Sequence, residues 1–327
     1  TGVQTCALPI SSALELGGER RSVTILMSDL RGFTAHSERL EPERVVQMLN
    51  AYFEVMVDIV SKYKGTINEI IGDALLVIFG APQEMPDRTQ RAVACAIEMQ
   101  NAMGKVSEHN IHLGLPAIEM GIGINEAEVI VGNIGSSKRI KYGVVGSGVN
   151  MTSRIESYTV GGQILVSESV LERLGERCVR IDGSREVMPK GSSTFLRVFE
   201  VGGIGAPHNL VLDRPDEELH LLARSVPVRG ETVAGKDVGG KRIRGRIVRL
   251  SKTSCAAEWE SPFSTLTDIR MSLLEVGEDL GGRDFYGKVV KSSEGPSLVH
   301  LIRFTVIPPE IDAYFRACML QSERAPD

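Results

Sequence analysis

A chain of 327 residues is long enough for two domains, and a net charge of −5 gives no reason to expect nucleic acid as a partner. No apolar run reaches the length of a membrane span and no secretory signal is evident. Cys6, Cys95, Cys178, Cys255 and Cys318 show neither CxxC nor metal-site spacing and read as reduced cytosolic thiols.

Residues 1–10 (TGVQTCALPI) resemble translated sequencing-adapter sequence and are left out of the fold reading. Residues 11–21 read as a linker remnant; the native N-terminus upstream of it could carry a sensory segment or a membrane anchor. The first stretch with chemistry in it is Val23–Thr34, VTILMSDLRGFT. Val23, Ile25, Leu26 and Met27 predict a buried strand that ends on Asp29, and Gly32 opens a turn into a helix. A carboxylate there, followed by the backbone amides of Gly32, Phe33 and Thr34, can hold a hard cation beside a phosphate chain. An Asp at a strand end can equally be a plain turn residue.

Glu41–Lys62 predicts an amphipathic helix with Pro42 in its first turn and Val45, Met48, Leu49, Tyr52, Met56, Ile59 and Val60 at helical spacing. Lys64–Gly80 predicts two strands, Thr66–Ile71 and Ala74–Phe79, around a Gly72-Asp73 hairpin turn. If that hairpin lies beside the first strand, Asp73 joins Asp29 and the two carboxylates can bridge two magnesium ions; taken singly, Asp73 is the polar residue of a turn. Asp87–Glu108 predicts a second helix with Asp87 as N-cap, and His109 and His112 read as solvated residues flanking a loop. Ala117–Asn125 and Ala127–Gly135 predict a strand pair. In Tyr142–Ser157 a strand ends at Gly146, Ser147-Gly148 turn, and a helix follows in which Asn150 and Arg154 share one face. Such a pair could bind a ribose oxygen and the charge growing on a transferring phosphoryl group; the alternative is a solvated arginine. Gln163–Val166 predicts a strand, Ser167–Leu174 a capped helix, and about Cys178–Ile181 and Phe195–Val201 the strands that complete a sheet around Lys190.

These segments, with MGIGIN at Met120–Asn125, VGNIGS at Val131–Ser136 and PKG at Pro189–Gly191, resemble the class III adenylyl/guanylyl (nucleotidyl) cyclase catalytic domain over roughly Gly17–Gly202. The resemblance implies an α/β (α+β) sandwich, a ferredoxin-like, mostly antiparallel sheet with flanking helices, over residues 22–202. It implies that Asp29, Leu30 and Asp73 hold two Mg2+ or Mn2+ ions per active site, that Gly32, Phe33, Thr34 and Lys190 bind the triphosphate, and that Asn150 and Arg154 form a transition-state pair. It also implies a head-to-tail homodimer whose sites take metals from one chain and base and transition-state contacts from the other.

Base choice departs from the commonest pattern. Adenylyl members usually carry Lys four residues before the second metal Asp and Asp or Thr seven residues before the Asn; here those positions hold Glu69 and Gly143. A carboxylate can accept two hydrogen bonds from guanine N1–H and N2–H2, whereas lysine donates to adenine N1. Glu69 therefore points to GTP, with an exposed strand glutamate as the alternative, and Gly143 leaves guanine O6 to backbone or water. The family's usual Thr-Gly after Asn125 is replaced by Glu126-Ala127, which puts the turn geometry in question.

Residues 203–220 form a Gly/Pro-rich linker. Beyond it, Gly245–Leu250, Ala256–Glu260, Asp268–Leu274, Phe285–Lys291 and Val299–Phe304 predict a second, small β-barrel domain, closed by a C-terminal helix at Pro308–Leu320. Residues 221–321 resemble a PilZ-type domain, a fold that often binds cyclic di-GMP. The ligand motif is degenerate: Arg249–Ser254 keeps only a serine, Arg224 and Arg229 are one residue too far apart for the RxxxR arm, and Arg242 and Arg246 abut the strand too closely. A non-binding or differently tuned barrel is favoured, with a solvated basic face as the alternative.

The chain is thus expected to be a cytoplasmic enzyme that makes a 3′,5′-cyclic nucleotide and pyrophosphate from GTP, with ATP as the runner-up substrate. The competing class is a catalytically silent cyclase-like signalling module. A diguanylate cyclase would carry GG[DE]EF, which Ile71-Gly72-Asp73-Ala74 is not.

Overall fold

The computed structural model describes residues 16–136, 138–175, 178–188, 195–213, 218–234, 237–238, 242–277, 280–292 and 298–323. Strand β1 (Gly17–Arg31) runs through the middle of the first sheet. Its side chains alternate as a pleat requires: Leu26 and Leu30 enter the main core, while Val23 and Ile25 enter a smaller one on the opposite face. The strand begins earlier than predicted. Gly17–Arg21, assigned to a linker on sequence, pairs with residues Val129–Asn133, because the partner strand continues past the point where the apolar pattern of β1 ends.

After the short α1 (Phe33–Ser37) comes α2 (Pro42–Lys62), whose first-turn Pro42 gives up an N–H that would have lacked a helical partner. Met48, Tyr52, Met56, Ile59 and Val60 on its inner side are buried. Strands β2 (Thr66–Ile71) and β3 (Ala74–Phe79) form the expected hairpin, and every residue of β3 is buried, as befits a strand covered on both faces. Helix α3 (Arg88–His112) is longer than predicted: His109 and His112 lie in its last turn, favourably placed against the helix dipole, and not in a loop. Asp87 precedes the helix without capping it, since its carboxylate accepts a 2.8 Å hydrogen bond from Arg91 Nε.

Strand β4 (Glu119–Ser136) replaces the predicted strand pair. No turn forms at Glu126 because β4 pairs with β1 from Arg31↔Glu119 to Gly17↔Asn133. Glu126 instead accepts hydrogen bonds from Arg88 (Nε, 3.0 Å), Thr24 and Thr89 in a nearly water-free ion pair. Removing one partner of such a pair costs about 3–5 kcal/mol, whereas the exposed Arg20–Glu128 pair is worth less than about 1 kcal/mol. There follow β5 (Arg139–Val145), α4 (Ser147–Ser157), β6 (Ile164–Ser167), α5 (Glu168–Leu174), β7 (Val179–Val187), β8 (Leu196–Ile204) and β9 (Leu210–Val211). The nine strands run β2-β3-β1-β4-β6-β8-β7, with β5 on β4 and β9 on β8. β4–β6 is the one parallel pairing among the described residues, so the sheet is mostly antiparallel as expected.

The second unit consists of β10 (His220–Ala234), β11 (Asp237–Val238), β12 (Ile243–Leu250), β13 (Ser254–Trp259), β14 (Asp268–Leu273), β15 (Asp284–Ser292), β16 (Val299–Val306) and α6 (Pro309–Glu323). Pairing of β10 with both β12 and β14 closes a six-stranded barrel. Inside it Phe285, Phe304 and Phe315 of α6 pack ring to ring, so the helix is part of the barrel core. β10 has no counterpart in the sequence reading: Pro227 and a register shift between Leu221 and Val226 interrupt its alternation. Cys95, Cys178, Cys255 and Cys318 are free thiols, and no helix among the described residues is long and apolar enough to cross a membrane.

Candidate active site

Strand order brings the two carboxylates together. β3 lies antiparallel beside β1 with Ser28 opposite Leu75, so the β2–β3 turn, where Gly72 takes φ +65°, falls next to the C-terminal end of β1. The Leu30 N–H donates to Asp73 Oδ2 at 3.0 Å. Burial, and then the charge of Asp29 close by, push the Asp73 carboxyl up to about 7. Asp29, Leu30, Asp73, Gly32 and the first residues of α1, Phe33 and Thr34, line a cavity of about 320 Å3. Six of the residues singled out on sequence thus meet in one place.

Helix α4 borders the same cavity through its last residues, Glu156 and Ser157. It lies on β4 where Gly121 and Gly123 alternate with core-facing Met120, Ile122 and Ile124. A Cβ at Gly123 would fall 2.5 Å from the Glu156 nitrogen, so only glycine admits the helix backbone this close. This is the physical content of the MGIGIN stretch. Glu156 pairs with Arg31, whose Nη2 is also 3.4 Å from Asp29 Oδ2. Neither Arg31 nor Glu156 was singled out on sequence; the alternation of charge after Asp29 is too common to mark them.

The remaining residues do not line this cavity. Asn150 is exposed and Arg154 half-buried on α4, and neither side chain has a hydrogen-bond partner among the described residues. Glu69 on β2 is exposed and ion-paired at 2.8 Å with Lys141 Nζ of β5. Gly143, two residues along β5 and so on the same side of that strand, has Asn68 Oδ1 about 4.0 Å from the position a Cβ would take. Glu69 and Gly143 therefore sit at one edge, with Lys141 as a third member that the period of the strand could have exposed. Lys190 lies outside the described residues.

The second unit reaches the cavity as well. Asp268, Lys288 and Thr305 of the barrel line it, and a Cβ on Gly32 (φ +71°) would meet Val306 at 2.6 Å. No sequence pattern announces a contact between two separately patterned units.

A mostly antiparallel sheet flanked by helices, with two carboxylates converging at the end of its central strand, has the fold of a nucleotidyl cyclase catalytic domain. The profile of the adenylate and guanylate cyclase catalytic domain matches residues 18–199, and the chain belongs to that family. It is 35% identical over 201 residues to an adenylate cyclase of Anabaena cylindrica, covering 58% of this chain and 38% of that protein. With adenylate cyclase 1 of Rhizobium meliloti (strain 1021) it shares 30% over 187 residues, covering 57% and 28% respectively. The chain spans well under half the length of these curated relatives. Among solved structures, the guanylyl cyclase Cya2 is 55% identical with a TM-score of 0.59, covering 61% of this chain and 100% of that one. The adenylyl cyclase CyaB from P. aeruginosa is 32% identical with a TM-score of 0.55, covering 60% and 100%.

Proposed function

We propose that the chain is a homodimeric, metal-dependent nucleotidyl cyclase that converts GTP to cyclic GMP and pyrophosphate, with ATP as the alternative substrate. The observation that carries the reaction class is the meeting of Asp29 and Asp73 in a cavity that Gly32, Phe33 and Thr34 also line. These residues fit a hard divalent cation. Two carboxylates, one of them retaining its proton because of burial and then of its neighbour's charge, are an oxygen-donor set whose mutual repulsion a cation relieves, and magnesium characteristically takes only one or two protein carboxylates besides substrate phosphates. Asp29, Asp73 and the Leu30 backbone would hold Mg2+ or Mn2+, which when bound activates the 3′-hydroxyl and neutralises the triphosphate.

In this reading the ribose 3′-oxygen attacks the α-phosphorus in line and pyrophosphate leaves. Gly32, Phe33 and Thr34 border the phosphate chain, and Lys190 binds its far end. Asn150 orients the ribose and Arg154 faces the charge that grows in the transition state. Glu69 accepts from guanine N1–H and N2–H2, held in place by Lys141. The 55% identity to the guanylyl cyclase Cya2 supports GTP, and the relatives named adenylate cyclases keep ATP as the second reading.

Asn150 and Arg154 lie away from the carboxylate cavity and have no hydrogen-bond partner among the described residues, which supports a site completed by a second copy. Ile70, Ile71 and Val145, about half exposed near Glu69 and at the end of β5, supply apolar surface for that copy to cover. No cyclic di-GMP site is proposed for the barrel, because its ligand motif is degenerate; Arg242 and Arg246 form exposed ion pairs with Glu231 and Glu258.

The test is product formation by the full chain with Mg2+ or Mn2+, GTP and ATP being offered separately and products resolved by chromatography. Cyclic GMP is expected to dominate. Cyclic AMP dominating overturns the base assignment, and no product from a confirmed dimer overturns the catalytic reading in favour of a silent signalling module.

A further inference from the structure

Lys288 stands on β15 of the barrel, yet its ammonium group belongs to the cyclase unit. Nζ donates to the carbonyl oxygens of Ser157 at 2.7 Å and Thr159 at 3.2 Å, the first being the last residue of α4. The last carbonyls of a helix have no partner within it, and the helix dipole makes its C-terminal end a favourable place for a cation. Lys288 is 3% exposed, with Asp268 of its own unit 3.7 Å away. Burying an ammonium is costly unless its donors are engaged, so this position is tenable only while the end of α4 lies against the barrel.

The contact continues inwards. Glu156, the residue before Ser157, pairs with Arg31, and Arg31 reaches Asp29. Two further contacts hold the same face of the barrel: Arg303 lies 3.5 Å from Glu119 at the start of β4, and the Thr305 carbonyl oxygen and the Val306 side chain lie over Gly32. If the proposed head-to-tail dimer holds, α4 of one chain serves the partner's site while Asp29 serves its own. Lys288 then touches the point where the two half-sites of a single chain meet.

We propose that Lys288 is a positioning residue of the cyclase: by fastening the barrel to the end of α4 it fixes Asn150 and Arg154, and through Glu156 and Arg31 the Asp29 carboxylate, so that barrel docking and turnover are coupled. This rests on the cyclase reading. A residue that acts by orienting transition-state groups changes kcat, whereas one that binds substrate uniformly changes KM.

The experiment compares the full chain with its Lys288→Met and Lys288→Arg variants, and with Lys291→Met, an exposed lysine on the same strand, as control. Steady-state kinetics with GTP are combined with amide hydrogen exchange over residues 29–31 and 157–160. Lys288→Met is expected to lower kcat between about tenfold and a hundredfold, the cost of misplacing groups by about an ångström. KM is expected to stay within about threefold, exchange to speed up at both segments, Lys288→Arg to recover part of both losses, and the control to change neither. If Lys288→Met does not fold, Lys288→Gln is scored in the same way. A kcat within about twofold of the parent, or a raised KM at unchanged kcat, overturns the proposal. If the parent makes no cyclic nucleotide the cyclase reading fails by itself, and the exchange arm still decides: unchanged exchange at both segments overturns the coupling.

Discussion

The carboxylate half of the site lines one cavity and its groups answer one another, whereas the half carrying Glu69, Gly143, Asn150 and Arg154 lies outside it and is the more open, with Glu69 and Asn150 exposed and only Gly143 buried. Asp73 accepts from the Leu30 amide and leans on Asp29; Arg31 bridges Asp29 and Glu156. By contrast Asn150 and Arg154 have no partner among the described residues, and Glu69 pairs only with an exposed lysine. The difference teaches where each half is finished. Strand adjacency within one chain suffices to bring Asp29 and Asp73 together, while on the proposed reading the groups that meet the base and the reacting phosphorus are left for another chain's substrate.

The strongest way to break this comparison is to destroy one half at a time. Asp73→Asn is expected to reduce turnover by at least about a thousandfold, since several kcal/mol of charge stabilisation is lost with the metal. Arg154→Ala is expected to cost about a hundred- to a thousandfold, as for one lost transition-state donor. Mixing the two inactive proteins should restore about a quarter of parental activity, because half the dimers are mixed and each of these retains one intact site. If mixing recovers nothing, both halves of a site come from the same chain and the contrast between them has another origin.

Much of the carboxylate half was legible because it is local. A strand ending on Asp29 and a Gly-Asp hairpin turn are short-range patterns, and the single inference needed, that β3 lies beside β1, is what the structure provides. Elsewhere the reading failed where a long-range partner overrode local signals. Glu126 was placed in a turn because it stands where the resembling family has Thr-Gly after Asn125, but Arg88, Thr24 and Thr89 satisfy it inside an unbroken β4. β10 was missed because Pro227 and a register shift hide its pleat. Lys288, Asp268 and Thr305 could not be found at all: their role depends on how the two units meet, and each looks like an ordinary barrel residue.

The open half can be sharpened through its base contacts. Replacing Glu69 with Lys and Gly143 with Asp converts an edge whose side-chain acceptor is the Glu69 carboxylate into one that offers a donor at 69 and an acceptor at 143. The ratio of kcat/KM for GTP to that for ATP is expected to fall by about a hundredfold or more, since a buried polar group left unpaired is what discriminates between isosteric ligands. The double variant should leave metal binding untouched, because neither residue lines the carboxylate cavity. An unchanged ratio would mean that this edge does not read the base.

The smallest effect probes the carboxylate half without substrate. Asp73 holds its proton up to about pH 7 in the folded protein, whereas the unfolded chain releases it near the ordinary carboxylate value of about 4. The folded state thus binds a proton that the unfolded state has lost, so the associated stabilisation is complete below the unfolded value and fades as pH rises through the folded one. The metal-free protein should therefore melt a few degrees lower at about pH 7.5 than at about pH 4.5, after the same difference for Asp73→Asn is subtracted. Mg2+ or Mn2+ should oppose the loss, because a cation bound between the carboxylates displaces the proton and favours the folded state by mass action. Asp73→Asn should flatten this curve, and Glu69→Gln, at a residue outside the carboxylate cavity, serves as the control variant. If both variants retain the full pH dependence, its source lies outside the Asp29–Asp73 pair, and the claim that burial and the Asp29 charge keep Asp73 protonated is wrong.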